Sequence, residues 1–217
     1  MTDRSAIVLF GDVADSRADA PRATAWLRTL SVELDRRYAD ARLARFAFTQ
    51  GDELQGLVRR TADPTLAVLH AALHPHGMRM RWVAVAGAVE AGSGPATERT
   101  GPAFIAARDL VAAARRQRDG FLVRVGEPAT DALLDDIAPT LAVLLGELTT
   151  TQRAVARLLL VDGLKQAEAA KRLAVSRPTV SVAAERARVR EIARLVDAVR
   201  LLLGVGSHAA VPEMAGG

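Results

Sequence analysis

Four stretches carry residues able to do chemistry. In "FGDVADSR" (10–17) an apolar run ends in Gly11-Asp12, and in "TQGDELQGLV" (49–58) Gly51, Asp52 and Glu53 divide two alternating runs. If the strands that these runs predict are neighbours, Asp12 and Asp52 project toward a common point. Two hard carboxylates with added water suit Mg²⁺ or Mn²⁺, whose usual second partner is a phosphate. Without a cation the two acids would repel one another or raise a pKa. Ser16-Arg17, just past the first run, could set a hydroxyl, backbone N–H groups and a guanidinium around a phosphate at a helix start. N-capping by Asp15 or Ser16 accounts for the same residue types, and capping is the expectation for Asp15. "HAALHPH" (70–76) places His70 and His74 one helical turn apart with His76 following, which raises zinc. No acid lies at supporting spacing and Pro75 breaks the helix between the second and third histidine, so a frayed, solvated helix end is expected there.

The fourth stretch, "QAEAAKRLAVSRPTVSVAAE" (166–185), has the spacing of a helix-turn-helix. Small Ala170 allows two helices to cross closely, and Ala174 occupies the tight turn. Leu173, Val175 and Val180 are expected to lock the pair. Ser176 can cap the second helix, and Pro178 is tolerated in its first turn. Upstream, Thr149 and Gln152 match a capping box, with Val155, Leu158 and Leu159 inward and Gly163 closing that helix. Arg177, Thr179, Ser181, Val182 and Glu185 are then left on the outer face, with Ser176 at its start and Arg186 beside it. A recognition helix reads base edges with residues near its N-terminus while arginines neutralise phosphate. Double-stranded DNA is therefore the expected partner, against the alternative of a plain helical hairpin with a solvated arginine face.

Charge agrees. Between Leu148 and Gly204 there are 11 Arg or Lys against 5 Asp or Glu, a net of +6, leaving 18 against 20 elsewhere. The basic character belongs to the last third. Lysine occurs only at Lys165 and Lys171, so arginine frequency alone says little about phosphate binding.

The elements that must position these residues follow from periodicity. "SAIVLFGD" (5–12) predicts a fully buried strand, and Trp26, Leu27, Leu30 and Leu34 an amphipathic helix over 21–40. "RFAFTQ" and "ELQGLV" predict a hairpin about Gly51-Asp52. Asp63-Pro64 starts a helix with Leu66, Leu69 and Leu73 inward, stopped by Pro75. A strand over 78–92, a glycine-rich loop, a helix over 101–117 and a strand over 120–126 complete the order β-α-β-β-α-β-α-β. Residues 128–147, with Pro128 and Pro139, read as a helical connector. Val189, Ile192, Leu195, Val196, Val199, Leu202 and Leu203 share one face of a last helix, which suits core packing or a dimer equally. The small-residue tail 205–217 is expected to be disordered.

At 217 residues the chain can bury a core in one large domain or two small ones. Cysteine is absent, which excludes disulfides, thiol catalysis and thiolate metal sites. No segment is long and apolar enough to span a bilayer, and "MTDRSAIVLFGD" meets an acid too early for a signal peptide, so a soluble cytoplasmic protein without membrane contact is expected.

"FGDVADSR", "TQGDELQGL", "RWVAVAGAV" and "GPAFIAARDL", followed by a helix-turn-helix, resemble the SatD family over nearly the whole chain. That family's N-terminal part is similar to the ferredoxin-like fold of class III nucleotidyl cyclases and GGDEF domains. The resemblance implies that Asp12 and Asp52 match the metal-binding acids, that Glu53 matches the acid after the hairpin aspartate, and that Arg108 matches a transition-state arginine. Gly11 and Arg17 fall beside the implied ligand. Two positions depart from the cyclase pattern: Phe104 stands where an asparagine is usual and Phe48 where a base-recognising lysine is expected. Neither can donate a hydrogen bond to triphosphate or base, so cyclisation is not expected.

The combined expectation is an α+β fold, a ferredoxin-like or nucleotidyl-cyclase-like domain over 1–127, the connector 128–147, and an all-α helix-turn-helix DNA-binding domain over 148–204. Its work would be transcription regulation, with the first domain sensing a nucleotide or other ligand or forming a homodimer. The alternatives are a metal-dependent nucleotide-processing enzyme with an accessory helix-turn-helix, and a protein-interaction adaptor.

Overall fold

The computed structural model describes residues 4–48, 52–117 and 120–205. Thr49, Gln50 and Gly51 of the expected hairpin turn, and 206–217 of the expected tail, lie outside them. Five strands, β1 (Arg4–Val13), β2 (Arg42–Phe48), β3 (Glu53–Arg59), β4 (Met80–Val89) and β5 (Phe121–Arg124), form one sheet in the order β2-β3-β1-β4-β5. β1 pairs antiparallel with both β3 and β4, β2 with β3, and β5 runs parallel to β4. Helices α1 (Ala20–Arg37) and α2 (Thr65–Ala72) make the crossovers from β1 to β2 and from β3 to β4. With β3 lying between β1 and β2, the first four strands and two helices have split β-α-β connectivity. α3 (Pro102–Ala114) leads to β5.

β1 is apolar at every position from Ala6 to Phe10 because it is buried on both faces. Ile7 and Leu9 pack with Trp26, Leu27, Leu30 and Leu34 of α1, all buried as their helical spacing requires. Ala6, Val8 and Phe10 pack on the other face with Ala103, Phe104, Ala107 and Val111 of α3. Helices therefore cover both sides of the sheet. Phe104 is fully buried, 6.1 Å from the ring of Phe10, and Phe48 is half-buried against the α1 side. The two departures from the cyclase pattern are thus apolar packing residues here.

The chain continues through α4 (Pro128–Gly146), capped by the Glu127 carboxylate, which accepts the N–H groups of Ala129 and Thr130. Pro139 lies inside this helix without ending it. α5 (Thr150–Leu160), α6 (Gln166–Leu173), α7 (Arg177–Arg186) and α8 (Val189–Leu203) follow. These helices pack onto the α1/α2 side, and a single apolar core runs from Ile7 of β1 to Val205. Val205 is itself buried, so that core takes in the first residue of the expected disordered tail. The apolar stripe of α8 packs within the chain, on α4, α2 and α5, with Val189, Ile192, Val196, Val199 and Leu203 buried.

Polar ties fix the same docking. Arg200 of α8 donates to Asp63 at the β3–α2 corner, at 2.8 and 2.7 Å. Arg60 donates to the Leu203 carbonyl at 2.5 Å, and Arg37 of α1 to the Val161 carbonyl and the Asp162 carboxylate, both at 3.2 Å. Among the described residues no helix is long and apolar enough to cross a membrane.

Candidate functional site

The helix-turn-helix is built as its spacing predicts. Thr149 and Gln152 close a reciprocal capping box at the start of α5. α6 ends where Ala174 takes a left-handed conformation (φ 53°), and the Val175 N–H reaches back to the Ala170 carbonyl at 3.0 Å. Ser176 caps α7, its hydroxyl accepting the Thr179 N–H at 3.3 Å. Val180, Ala184 and Ala187 form the buried side of α7, packed among α5, α6 and α8. One expectation fails: Val175 does not lock the pair but is 43% exposed, because the tight turn carries it outward, whereas Ala169 and Ala170 of α6 are buried.

Ser176, Arg177, Thr179, Ser181, Val182, Glu185 and Arg186 are all exposed on one continuous surface of α7. Of the 11 cations in the segment, Arg153, Arg157 and Arg200 are half-buried and face the rest of the chain. Lys165, Lys171, Arg172, Arg177, Arg186, Arg188, Arg190 and Arg194 remain exposed. Among the described residues nothing covers this surface.

At the sheet edge the register decides which acids meet. Asp12 of β1 stands directly across from Glu53, not Asp52, and on its other side from Arg81. Asp12 is buried, and its Oδ1 accepts both the Nε (3.0 Å) and Nη2 (2.7 Å) groups of Arg115, at the end of α3. Arg81 Nη1 lies 3.6 Å from the other Asp12 oxygen, and Arg115 lies 3.8 Å from Glu53. Hydrogen bonding to Asp12, helped by the charges of Asp12, Asp52 and Glu53, raises the Arg115 pKa further above its ordinary value. Asp52 is engaged separately, accepting the Ser16 hydroxyl. The common point of the acids is therefore a guanidinium, and Arg115 was missed. The signal that could have found it is the cation pair Arg115-Arg116 at the C-terminus of a helix, which the helix dipole favours.

Other expectations change likewise. Arg108 is exposed on α3 two turns before Arg115, which places it about 10 Å back along the helix. Arg17 is exposed in a 3-10 turn (Ser16–Ala18). Asp15 caps nothing: it is left-handed (φ 57°) without a side-chain bond, and Asp19 caps α1 by accepting the Arg22 N–H. Gly11 lies against Trp82 and Met80, where an added Cβ would come within 2.8–2.9 Å of their side chains. Close packing explains this glycine directly.

The histidine cluster is not a solvated helix end. His70 is buried, its Nε2 2.6 Å from the Glu33 carboxylate of α1, and His74 Nε2 lies 3.6 Å from the same group. The acid absent from the local sequence comes from another helix. Burial lowers the pKa of both histidines, outweighing the attraction of Glu33. Burial also opposes the charge of Glu33, but its hydrogen bond to His70, with the nearby Arg157 charge, holds its pKa below the ordinary value. The consistent state is a neutral His70 donating to an ionised Glu33. Among the described residues no group of three or more His, Asp or Glu converges to hold a metal ion.

A family model described as Sigma-70, region 4 matches residues 140–190, from the end of α4 into the first turn of α8. No curated protein and no solved structure matches the chain. The C-terminal helices thus carry a helix-turn-helix module similar to Sigma-70 region 4, which fits DNA binding.

Proposed function

We propose that this protein is a DNA-binding transcription regulator whose helix α7 enters the major groove of duplex DNA. One observation carries the reading: the capped start of α7 presents Arg177, Ser181, Val182, Glu185 and Arg186 on a surface left exposed by the described residues. The local match to Sigma-70 region 4 supports it. Fluorescence anisotropy of the full chain with labelled duplex across a salt series tests it. Binding should weaken with salt, and Arg177→Ala should reduce the log–log slope by about 0.9 if that side chain meets one phosphate. No binding to any duplex at low salt would leave the adaptor reading in its place.

The sheet is assigned a sensing or pairing role. The split β-α-β connectivity fits the ferredoxin-like part of the expected fold, and the sheet edge carries Asp12, Asp52 and Glu53. A nucleotide held at that edge, or a second copy of the chain, would set the spacing of two α7 helices on a two-fold operator. The donor set does not fit Mg²⁺ or Mn²⁺, because the Asp12 carboxylate already faces two guanidiniums and Glu53 shares one of them. A divalent ion there would have to displace Arg115 or be repelled by it. We assign Arg115 the role of counter-charge to Asp12 and Glu53.

A further inference from the structure

The outer surface of α7 has an apolar apex. At about 3.6 residues per turn, Val182 lies nearest the point opposite Val180, Ala184 and Ala187, and Pro178 and then Glu185 follow on one side of it. All three are exposed, and Val182 is 46% exposed. The hydroxyls nearest the helix start are engaged with each other: Ser176 Oγ accepts the Thr179 N–H and lies 2.8 Å from the Thr179 hydroxyl. Their hydrogen-bonding capacity goes first to the cap, not to a base edge.

A valine at this position cannot read a donor or an acceptor. The base edges of the major groove carry one apolar group, the C5-methyl of thymine. Glu185, one turn on, would be repelled by phosphates, which favours a pose with this apex turned to the bases and Arg177 and Arg186 toward the strands. We propose that Val182 is a specificity-determining residue that selects thymine by packing on its methyl group. The inference rests on the DNA-binding reading above.

The test uses the full chain. Duplexes are selected from a random library, and each thymine of the selected site is replaced singly by deoxyuridine, which removes only the methyl. Binding is measured for wild type, for Val182→Ala, and for Val143→Ala, a comparably exposed valine (44%) on α4. One replacement should weaken wild-type binding about fourfold, the worth of one buried methyl or methylene group. The same replacement should leave Val182→Ala unaffected, while Val143→Ala follows wild type. Selected sites without a fixed thymine, tolerance of deoxyuridine at every position, or an equal loss in Val182→Ala would each overturn this inference and leave DNA binding standing. Failure to enrich any duplex would overturn both.

Discussion

Asp63→Ala probes whether the helix-turn-helix and the sheet are one cooperative unit. Asp63 is buried at the β3–α2 corner. One oxygen accepts Arg200 Nε and Nη2 at 2.8 and 2.7 Å, and the other accepts the N–H and hydroxyl of Thr65 at 2.9 and 2.6 Å. Arg200 belongs to α8, and its side chain is only 13% exposed, so the substitution strands a guanidinium in a poorly solvated seam. Removing one partner of a buried pair costs about 3–5 kcal/mol. Asp197 still accepts from Arg200 Nη1 at 3.1 Å, which argues for the lower end. Loss of the bonds to Thr65 at the helix start adds about 1 kcal/mol. A total of about 4 kcal/mol, at about 2–4 °C per kcal/mol for a chain of this length, lowers the melting temperature by about 8–16 °C.

Urea unfolding followed by tryptophan fluorescence and by helical circular dichroism measures this directly. Both tryptophans, Trp26 and Trp82, report on the sheet layer, while α4–α8 contribute much of the helical signal. Because one apolar core runs from β1 to Val205, the two probes should give coincident transitions in wild type. Separate transitions in wild type, or a loss below about 1 kcal/mol in Asp63→Ala, would refute the reasoning, since about 3 kcal/mol is the least that breaking a buried pair should cost.

Two further outcomes are expected. Millimolar Mg²⁺ or Mn²⁺ should leave the wild-type melting temperature unchanged; a rise of several degrees that Asp12→Asn abolishes would restore the metal site, since a ligand at about 100 times Kd adds about 2.7 kcal/mol. Burial holds the pKa of His70 and His74 below the ordinary histidine value, so the fold favours their neutral forms. Their contribution is fully present above about pH 6.5 and is lost as pH falls through the depressed values. Denaturant midpoints should therefore fall below pH 6.5 in wild type and less so in His70→Gln, whereas an equal fall in both would refute the assignment.

The order of elements was legible because each carries its own period: alternation for the hairpin strands, three-to-four spacing for α1, α5 and α8, and proline or glycine at the breaks. The helix-turn-helix was legible because its constraints are local, with the cap at Ser176 and the turn at Ala174 within a few residues of the surface they orient. The sheet edge was legible only as far as the neighbouring of β1 and β3. Which acid faces Asp12 depends on a one-residue register, and that register pairs it with Glu53. Arg108 and Arg115 are both exposed on α3, so helical phase does not separate them; only the direction in which α3 crosses the sheet brings Arg115 to Asp12. Glu33 and His70 are 37 residues apart on different helices, beyond the reach of any spacing rule. The cover on both faces did leave a signal, since an apolar run as unbroken as that of β1 requires it.

Gly11→Ala separates two reasons for a glycine beside Asp12. A glycine that cradles a ligand tolerates a methyl until the ligand arrives, whereas a packing glycine fails in the free protein. Here an added Cβ would stand 2.8 Å from Met80 Cε and 2.9 Å from two ring atoms of Trp82. The methionine end can swing away, but Trp82 is only 2% exposed and held across the β1–β4 ladder, and Met80 Sδ also accepts the Trp26 indole N–H at 3.3 Å. Overpacking of this kind costs about 1–3 kcal/mol. Met80 and Trp82 line a cleft of about 230 Å³ together with Ala142 and Leu145 of α4 and Arg153 of α5, so the side chains that would move stand at the boundary between the sheet and the C-terminal helices. Gly87→Ala is the control, because its Cβ would meet the Ala103 methyl at an ordinary 3.4 Å on the opposite face of the sheet. Gly11→Ala alone should destabilise the free protein and shift its tryptophan emission. Unchanged emission and stability in Gly11→Ala, with a loss that emerges only on adding a nucleotide, would return Gly11 to the ligand-binding role and refute the packing account.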